Sequence, residues 1–494
     1  MPEPTPEPTP EPTPDGTIRR LGARAAITAV ADQDSFRELD ACDAEFEVAD
    51  SRPDGPLAWP GYTEARARAE ERTGERESVV CGTATLGGTR AVVISFEFGF
   101  MGGSLGERTG DRLEAAHRHA RDHRLPVVSL IATGGSRMQE GMRALVQLQR
   151  VAKQSELTGA AGLARIAVLR DPTTGGGWAT LGAGADLVLA LPGSQVGFAG
   201  SRVRPADTDP AAYTAEGQLA AGAIDDVVRH EELREALVLR LGLLSAPGGG
   251  HVPAGASTPA AAEPPGALGR SDLPATGWEA VSRARDPDRP RATAYLDAYF
   301  AERAPLRGDR CGGADPGMLC GFGRRAGRTV AYAAQCGTAT TPAGYRTAAR
   351  LVRLAGRLGI PVLTLIDTPG AANDAVAERA GAGAAIADLF AAVAAAQVPV
   401  TSLVIGEGGS GGALALASPD NLWATPDSYF SVIAPELATA ILKRGREETR
   451  TTAEQLRLRP QDLVELGVAR GIVTARTGGP YGPVTSRTRG LTGP

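Results

Sequence analysis

The chain repeats one pattern, and this duplication restricts the possible folds more than any other feature of the sequence. The stretch RLPVVSLIATGGS matches RLGIPVLTLIDTPGA, and ARIAVLRDPTTGGG matches VPVTSLVIGEGGSGG further along. In each half, two apolar runs of strand length end in Gly-rich turns that open helices. Strands that alternate with helices indicate βαβ units with right-handed crossovers. The repeat therefore predicts two α/β domains with one common architecture.

The length of 494 residues is too great for one ordinary hydrophobic core, so the domains need boundaries. We predict a disordered Pro-rich leader at 1–16, an N-terminal helical arm at 17–78, a first domain at 79–245, a Pro/Gly/Ala linker at 246–290, a second domain at 291–477 and a tail at 478–494. In the arm, SFRELDAC and YTEARARAEERTG have helical periodicity. The leader repeats Pro-Glu-Pro-Thr and contains no apolar run that could form a core.

Composition and charge exclude several classes of protein. Hydrophobic residues make up 42% and charged residues 22%, and the net charge is -5 without a basic block, which argues against nucleic-acid binding. Five Cys without a CxxC pair, and five His without ligand spacing, predict no metal site. No signal peptide and no apolar run of membrane-spanning length is visible, so we expect a cytoplasmic protein without membrane contact.

One loop, GEGGSGGALA at 406–415, reads literally as a dinucleotide-binding pattern. Gly406, Gly408 and Gly411 have the required spacing, and Asp427 lies near the distance expected for a ribose-binding acid. However, the equivalent loop of the first half, DPTTGGGWATLG, lacks the pattern, and Pro419 leaves room only for a short helix. The duplication therefore argues against a nucleotide site.

Glycine turns that open helices favour a different ligand. Glycine lets backbone N–H groups approach a ligand closely, and a helix N-terminus aims them outward with a favourable dipole. This environment suits a phosphate, and it also suits an oxyanion that develops on a carbonyl group. Two such turns in each half predict one oxyanion hole per half. Two holes indicate two carbonyl substrates with a group passed between them.

The motifs around these turns resemble a known family. The first half resembles the β subunit of acetyl-CoA carboxylase carboxyltransferase in GERESVVCGTATLGG, FGFMGGSLGE, TGGSRMQEGM, DPTTGG and GFAGSRV. The second half resembles the α subunit in YLDAYFAERAPLRGDR, VIGEGGSGGALALA, YFSVIAPE and LRPQDLVELGVARGIV. The resemblance covers roughly residues 20–240 and 290–475, and the motifs occur in the order of the family.

The resemblance implies a biotin-dependent acyl-CoA carboxyltransferase with tandem crotonase-like (ClpP/crotonase) ββα-superhelix domains. In this family the β-like half binds acyl-CoA, and the α-like half binds carboxybiotin that arrives on a separate biotin carboxyl carrier protein. The chain has no ATP-grasp region and no Met-Lys-Met biotinylation site, so biotin carboxylase is expected as a further partner. The family builds its site between halves of different protomers, which implies a homodimer or a higher homo-oligomer. The expected reaction converts acetyl-CoA to malonyl-CoA.

Residue roles follow from the same resemblance. The expected oxyanion-hole residues are Gly135, Ser136, Gly175 and Gly176 in the first half, and Gly411, Gly412 and Ala413 in the second. The expected substrate-binding residues are Gly102, Gly103, Arg137, Gly200 and Arg202 in the first half, and Gly370 and Ala371 in the second. The chemistry depends on hole donors more than on a strong side-chain base, which agrees with the lack of an evident His or carboxylate dyad.

The sequence also departs from the family pattern. A four-cysteine zinc ribbon is missing, Ser136 stands where the family has Ala, and a basic loop is shortened to QCGTATTPAGY. These departures leave open a longer acyl group or a thioester held on a carrier protein. They also leave two alternatives to carboxyl transfer: a malonyl-thioester decarboxylase, and a degenerate carboxyltransferase scaffold or partner.

Overall fold

The computed structural model describes residues 21–39, 53–245 and 258–474, and the backbone of 486–487. The predicted leader, part of the predicted linker and most of the predicted tail lie outside these ranges. The chain forms two compact units. The first comprises Met1–Thr158, Arg165–Gln218 and Asp226–Val238, and the second comprises Gly159–Ala164, Leu219–Asp225 and Leu239–Pro494.

The first unit is built on a mixed sheet of eight strands within the described residues. The strands are β1 (Arg37–Glu38), β2 (Val79–Leu86), β3 (Thr89–Phe96), β4 (Val127–Thr133), β5 (Arg165–Thr174), β6 (Leu187–Ala190), β7 (Val196–Gly197) and β8 (Asp226–Val227). Their order is β1-β2-β3-β4-β5-β6-β8, and β7 pairs with the end of β5. The first three strands are antiparallel, and the pairs from β3 onward are parallel.

The second unit repeats this arrangement in a sheet of nine described strands. The strands are β9 (Glu302–Leu306), β10 (Met318–Arg325), β11 (Arg328–Gln335), β12 (Val362–Thr368), β13 (Val400–Gly409), β14 (Leu422–Ala424), β15 (Tyr429–Ser431), β16 (Gly471–Val473) and β17 (Ser486–Arg487). The order is β17-β16-β14-β13-β12-β11-β10-β9, and β15 pairs with the end of β13. The predicted pair of similar α/β domains is confirmed.

Helices precede, connect and follow the strands of both sheets. In the first half of the chain they are Ala23–Val30, Tyr62–Thr73, Glu107–Asp122, Met142–Leu145, Gln147–Ala160, Gly175–Gly177, Ala215–Ala220 and Leu233–Leu244. In the second half they are Gly277–Arg285, Ala292–Tyr299, Pro342–Leu358, Ala375–Arg379, Ala382–Ala394, Ser410–Leu414, Pro435–Ile441, Thr449–Gln455 and Pro460–Glu465. None of the described helices is both long and apolar enough to cross a membrane.

The helix Pro342–Leu358 shows how the sequence produces these connections. Its proline at the first helical position has no N–H to leave unpaired, and Gly359 ends it with φ 69°. Its buried face includes Leu351, Val352 and Leu358. Full burial of one such side chain stabilises the fold by about 1.5–3 kcal/mol. Apolar spacing, a proline start and a glycine stop therefore all favour the same helix.

A duplicated bulge shapes the strand ends that carry the glycine turns. The register between β4 and β5 shifts between Ile131 and Thr133. The register between β12 and β13 shifts at the same place, between Ile366 and Thr368. A bulge bends the strand and re-aims the residues that follow. Both halves therefore release their turns from equivalent distorted strand ends.

The predicted helical arm is only partly helical. YTEARARAEERTG contains the helix Tyr62–Thr73, but SFRELDAC contains the strand Arg37–Glu38, which pairs with Thr83 and Gly82 of β2. A Cβ atom on Gly82 would lie 2.3 Å from the ring of Phe36. Because Gly82 has no side chain, the Phe36 ring can pack against β2 at this point. Pairing with the edge of the sheet thus overrides the helical periodicity of the sequence.

Part of the predicted linker is packed structure. Residues 258–290 contain the helix Gly277–Arg285, whose Ala280, Val281 and Ala284 are buried in a cluster with Tyr429. Alanine is small enough to fill a tight helix contact. The Ala-rich composition that we interpreted as linker therefore also serves a core in this region.

The second unit includes a segment from the first half of the chain. Asp225 is fully buried there, and its carboxylate accepts hydrogen bonds from Arg310 and Arg350. Next to it, a Cβ atom on Gly222 would lie 2.2 Å from the carbonyl oxygen of Gly313. Removing this carboxylate would leave two guanidinium groups without their buried partner, so the ion pairs hold the segment in the second unit.

Candidate active site: two duplicated glycine turns

Two glycine turns touch in the first unit. Gly135 follows β4 with φ 110°, and Gly175 follows β5 with φ 64°. A Cβ atom on Gly175 would lie 3.0 Å from the Cα atom of Gly135. Both φ values fall in the region that side chains disfavour, and the contact leaves little space for one. The close approach of the two turns therefore favours glycine at both positions.

The hydrogen bonds around these turns leave some backbone N–H groups without an acceptor. Leu105 N–H donates to Gly135 O at 2.8 Å, and Arg137 N–H donates to Leu105 O at 2.9 Å. Within the described parts of the chain, the intervening Ser136 N–H makes no hydrogen bond. The Gly176 N–H lies in the first turn of its helix, where no intrahelical acceptor exists. Ser136 N–H and Gly176 N–H are therefore two of the donors that this turn pair can offer.

The second unit has the same turn pair. Gly370 follows β12 with φ 144°, and Ser410 follows β13 with φ 58°. Thr340 N–H donates to Gly370 O at 3.1 Å, and Ala372 N–H donates to Thr340 O at 2.9 Å. In both units the first turn glycine also donates to the threonine two residues earlier, at 3.1 Å. Three hydrogen bonds of the first turn pair thus recur at equivalent positions of the second.

The equivalent donors of the second pair are Ala371 N–H and Gly411 N–H. Ala371 occupies the position of Ser136, and Gly411 occupies the position of Gly176 in the first turn of the helix Ser410–Leu414. A Cβ atom on Gly412 would lie 2.4 Å from Ala371 N, so the two turns touch here as well. Ala413 is fully buried, one residue deeper in the helix.

Arg137 does not have the surface position expected of a substrate-binding residue. Its side chain is only 1% exposed, and it forms ion pairs with Glu77 and Glu140. It also donates to Tyr62 Oη at 3.3 Å and to Ser104 O at 2.9 Å. Arg137 therefore lies beneath the turn and braces it, and its contact with substrate stays a prediction. Charge at a motif position does not reveal whether the side chain points inward.

Glu77 and Arg137 keep each other ionised although both are buried. Burial alone would raise the pKa of Glu77, but the adjacent Arg137 guanidinium outweighs it and lowers that pKa to about 2. Burial alone would likewise lower the pKa of Arg137, and the Glu77 carboxylate reverses this and raises it. The ion pair is therefore charged throughout the neutral range and holds the turn that carries Ser136.

The other expected residues of the first half fall into two groups. Gly102 O accepts the Gly134 N–H at 2.9 Å, and a Cβ atom on Gly103 would lie 2.1 Å from Ala132 O, so both glycines support the turn backbone. Gly200 lies close to the end of β5, and Arg202 follows it with an exposed side chain. Only Arg202 of this set has a charged group accessible to solvent.

Two buried side chains at the second turn pair escaped the sequence analysis. Tyr345 Oη donates to Gly412 O at 3.1 Å, and Gln335 Nε2 donates to the same oxygen at 3.3 Å. Both side chains are fully buried. They lie 67 and 77 residues from Gly412 along the chain, so no local pattern could have revealed the contact.

A buried aspartate lies behind the second turn. Asp367 is fully buried, and its carboxylate accepts from Arg289 and from Arg291, the latter at 3.3 Å. It also accepts from the Glu407 N–H at 3.2 Å, which joins the ends of β12 and β13. In the sequence, these two arginine partners stand close together in DPDRPR at 286–291.

Both halves of the chain match known protein families. Residues 60–228 match the family described as "Carboxyl transferase domain". Residues 273–485 match the family "Acetyl co-enzyme A carboxylase carboxyltransferase-like". The matches fall on the two halves that carry the two turn pairs.

Relatives extend the match over nearly the whole chain. The protein named "Acetyl-coenzyme A carboxylase carboxyl transferase subunits beta/alpha" from Saccharopolyspora erythraea is 38% identical over 479 residues, covering 93% of this chain and 82% of the relative. A Salinispora tropica protein of the same name is 37% identical with similar coverage. The chain therefore belongs to the acetyl-CoA carboxylase carboxyltransferase family, with β-like and α-like halves fused in one polypeptide.

Solved structures confirm the fold. Transcarboxylase 12S, described as a hexamer with methylmalonyl-coenzyme A bound, superposes with a TM-score of 0.74 at 20% identity, covering 93% of this chain and 88% of that one. A single-chain long-chain acyl-CoA carboxylase gives 0.68, covering 92% and 46%. The crotonase-like expectation is confirmed, and the chain is the carboxyltransferase of a biotin-dependent acyl-CoA carboxylase.

Proposed function

We propose that the chain transfers a carboxyl group from carboxybiotin on a carrier protein to the α-carbon of acetyl-CoA, which forms malonyl-CoA. The observation that carries this proposal is the duplicated turn pair, which presents backbone N–H groups without acceptors among the described residues at equivalent positions of both units. One pair of donors fits one carbonyl oxygen, and a group transfer between two carbonyl compounds needs two such pairs.

In the first unit, Ser136 N–H and Gly176 N–H would donate to the thioester oxygen. Removal of a proton from the acyl α-carbon places negative charge on this oxygen, so the two hydrogen bonds strengthen as the enolate forms. One donor of this kind is worth about 2.7–4 kcal/mol of barrier. Gly200 and the exposed Arg202 would contact the CoA moiety, where the Arg202 guanidinium suits a phosphate.

In the second unit, Ala371 N–H and Gly411 N–H would hold the ureido oxygen of biotin. The donor set fits this group because a ureido oxygen accepts two N–H bonds, and the residues that provide them are uncharged backbone. When bound, carboxybiotin supplies the carboxyl group and a nitrogen that can accept the α-proton. The N-terminal end of the helix Ser410–Leu414 would favour negative charge on that oxygen.

The partners follow from this chemistry. The substrate would arrive as acyl-CoA, biotin carboxylase would load biotin, and the biotin carrier would deliver it. The proposed assembly is at least a homodimer in which halves of different protomers complete the site. A monomer by light scattering at assay concentrations would argue against that assembly.

The function is tested by reconstitution. The purified chain is incubated with biotin carboxylase, biotinylated carrier, ATP, bicarbonate and acetyl-CoA, and malonyl-CoA is measured. We expect transfer that depends on biotin; no transfer to any short acyl-CoA or acyl carrier protein would refute the proposal. Loss of CO2 from malonyl-CoA without biotin would identify a decarboxylase instead.

A glycine pair provides a matched control. Gly175→Ala places a methyl group 3.0 Å from Gly135 Cα at φ 64°, whereas Gly88→Ala has a similar φ of 79° with open space around it. Both variants carry the same type of backbone strain, but only Gly175→Ala displaces the turn. We expect transfer to fall about 100-fold in Gly175→Ala alone.

A further inference from the structure

The second turn pair depends on an unusual helix. The helix Ser410–Leu414 has five residues, and its internal hydrogen bonds pass over one carbonyl. Ala415 N–H donates to Gly411 O at 3.0 Å, and Leu416 N–H donates to Ala413 O at 3.2 Å. The Gly412 carbonyl between them receives no backbone donor from the following turn. A helix this short has little intrinsic stability, so its orientation must come from outside contacts.

Tyr345 and Gln335 supply those contacts. Both donate to Gly412 O, and Gln335 Nε2 also lies 3.0 Å from Thr340 Oγ1. The backbone of Thr340 bonds to Gly370 and Ala372, which flank the donor Ala371. The Gln335 side chain therefore connects the two turns from beneath.

The amide of Gln335 is held in one orientation at an energetic cost. A carbonyl oxygen only accepts, so Nε2 must face Gly412 O, and Oε1 faces the other way. That buried oxygen makes no hydrogen bond in the described structure. A buried unpaired polar atom costs about 1–3 kcal/mol. A leucine or methionine at this position would avoid this cost. The presence of glutamine is therefore best explained by the hydrogen bond that its Nε2 donates to Gly412 O.

The contact geometry joins these side chains directly to the donors. The position that a Cβ atom would take on Gly412 lies 2.6 Å from Tyr345 Oη and 2.4 Å from Ala371 N. The hydroxyl, the helix and the facing turn therefore form one packed contact. A shift of the Gly412 carbonyl would move the adjacent Gly411 relative to Ala371.

We propose that Tyr345 and Gln335 are positioning residues of the second oxyanion hole. They replace the missing helical hydrogen bond of Gly412 and thereby fix the spacing between the Gly411 and Ala371 N–H groups. Oxyanion stabilisation depends on donors that are already in place when charge develops. The inference rests on the proposed function, because it names what holds the donors of that same site.

The test compares two buried tyrosines. Tyr345→Phe removes a hydroxyl that donates to a backbone carbonyl at the hole. Tyr299→Phe removes a hydroxyl that donates to Glu263 O at 2.7 Å, elsewhere in the same unit. We expect Tyr345→Phe to lower kcat for carboxyl transfer about 10- to 100-fold without changing KM for acetyl-CoA, while both variants melt at similar temperatures.

Gln335→Met is the second variant, since it keeps the length of the side chain and removes the donor. We expect the same loss of kcat at unchanged KM. If both variants keep kcat within about twofold of Tyr299→Phe, the positioning role is refuted. If the wild-type protein itself transfers no carboxyl group, the proposed function fails and the positioning role falls with it. A wild-type protein that transfers normally beside unaffected variants would remove the positioning role alone.

Discussion

The buried ion pairs beneath the first turn lead to a sharp prediction about Arg137. Arg137→Met keeps most of the side-chain volume and removes the charge. The variant leaves Glu77 and Glu140 as neighbouring carboxylates, with exposed fractions of only 1% and 6%. Solvent therefore cannot compensate for the missing guanidinium, and the folded state must either hold unpaired charges or take up protons.

The magnitude follows from this burial. Removing one partner of a buried pair costs about 3–5 kcal/mol. In a unit of roughly 200 residues, each kcal/mol lowers the melting temperature by about 2–4 °C, so the variant should melt roughly 6–20 °C lower. Adding Glu77→Gln to Arg137→Met neutralises one stranded carboxylate, and the double variant should regain part of the loss.

The assay is calorimetry at neutral pH, with KM for acetyl-CoA measured well below the transitions. Arg202→Ala is the control, because this exposed arginine was expected to bind substrate from the same kind of motif evidence. We expect Arg202→Ala to melt normally and to raise KM. An Arg137→Met protein that melts normally and shows a raised KM would refute the brace and restore a substrate contact.

Four further substitutions test the packing and the charges. Burial and neighbouring arginines lower the pKa of His117 to about 3, so stability should fall as the pH drops below about 6.5, and His117→Gln should flatten this slope in urea titrations. Glu77 has a folded pKa of about 2, so its contribution is complete above about pH 4.5 and is lost toward pH 2; Glu77→Gln should show a smaller acid-dependent loss. Gly412→Ala would place a methyl group 2.4 Å from Ala371 N and should lower both melting temperature and transfer, whereas Gly383→Ala, in open space within a helix, should stabilise by up to about 1 kcal/mol.

The sequence predicted the turns well because their pattern occurs twice. One match could have arisen by chance, as the GxGxxG spacing of GEGGSGG did. Two matches in the same order indicate that both halves adopt the same backbone conformation. The structure shows this in the bulges at equivalent strand ends and in the equivalent positions of Ser136 and Ala371. Repetition thus identified the architecture and the neighbourhood of the candidate donors.

The same pattern could not show how each turn is supported. Ser410 adopts φ 58° where the first half uses Gly175, so left-handed backbone here is imposed by packing and has no glycine signal. Arg137 is inside, and Tyr345 reaches Gly412 across 67 residues of chain. These contacts depend on tertiary neighbours, which periodicity and motif spacing do not encode.

The buried Asp225 also has a consequence for how the two halves became inseparable. A protease cut within 246–257 would leave Asp225 on one fragment and its partners Arg310 and Arg350 on the other. The fragments could then part only by exposing a carboxylate that folding has removed from water. The family to which this chain belongs has β and α subunits, and here the segment Leu219–Asp225 of the β-like half is part of the second unit. The second unit is therefore packed from residues of both halves. After cleavage within 246–257, the two fragments should remain associated in solution.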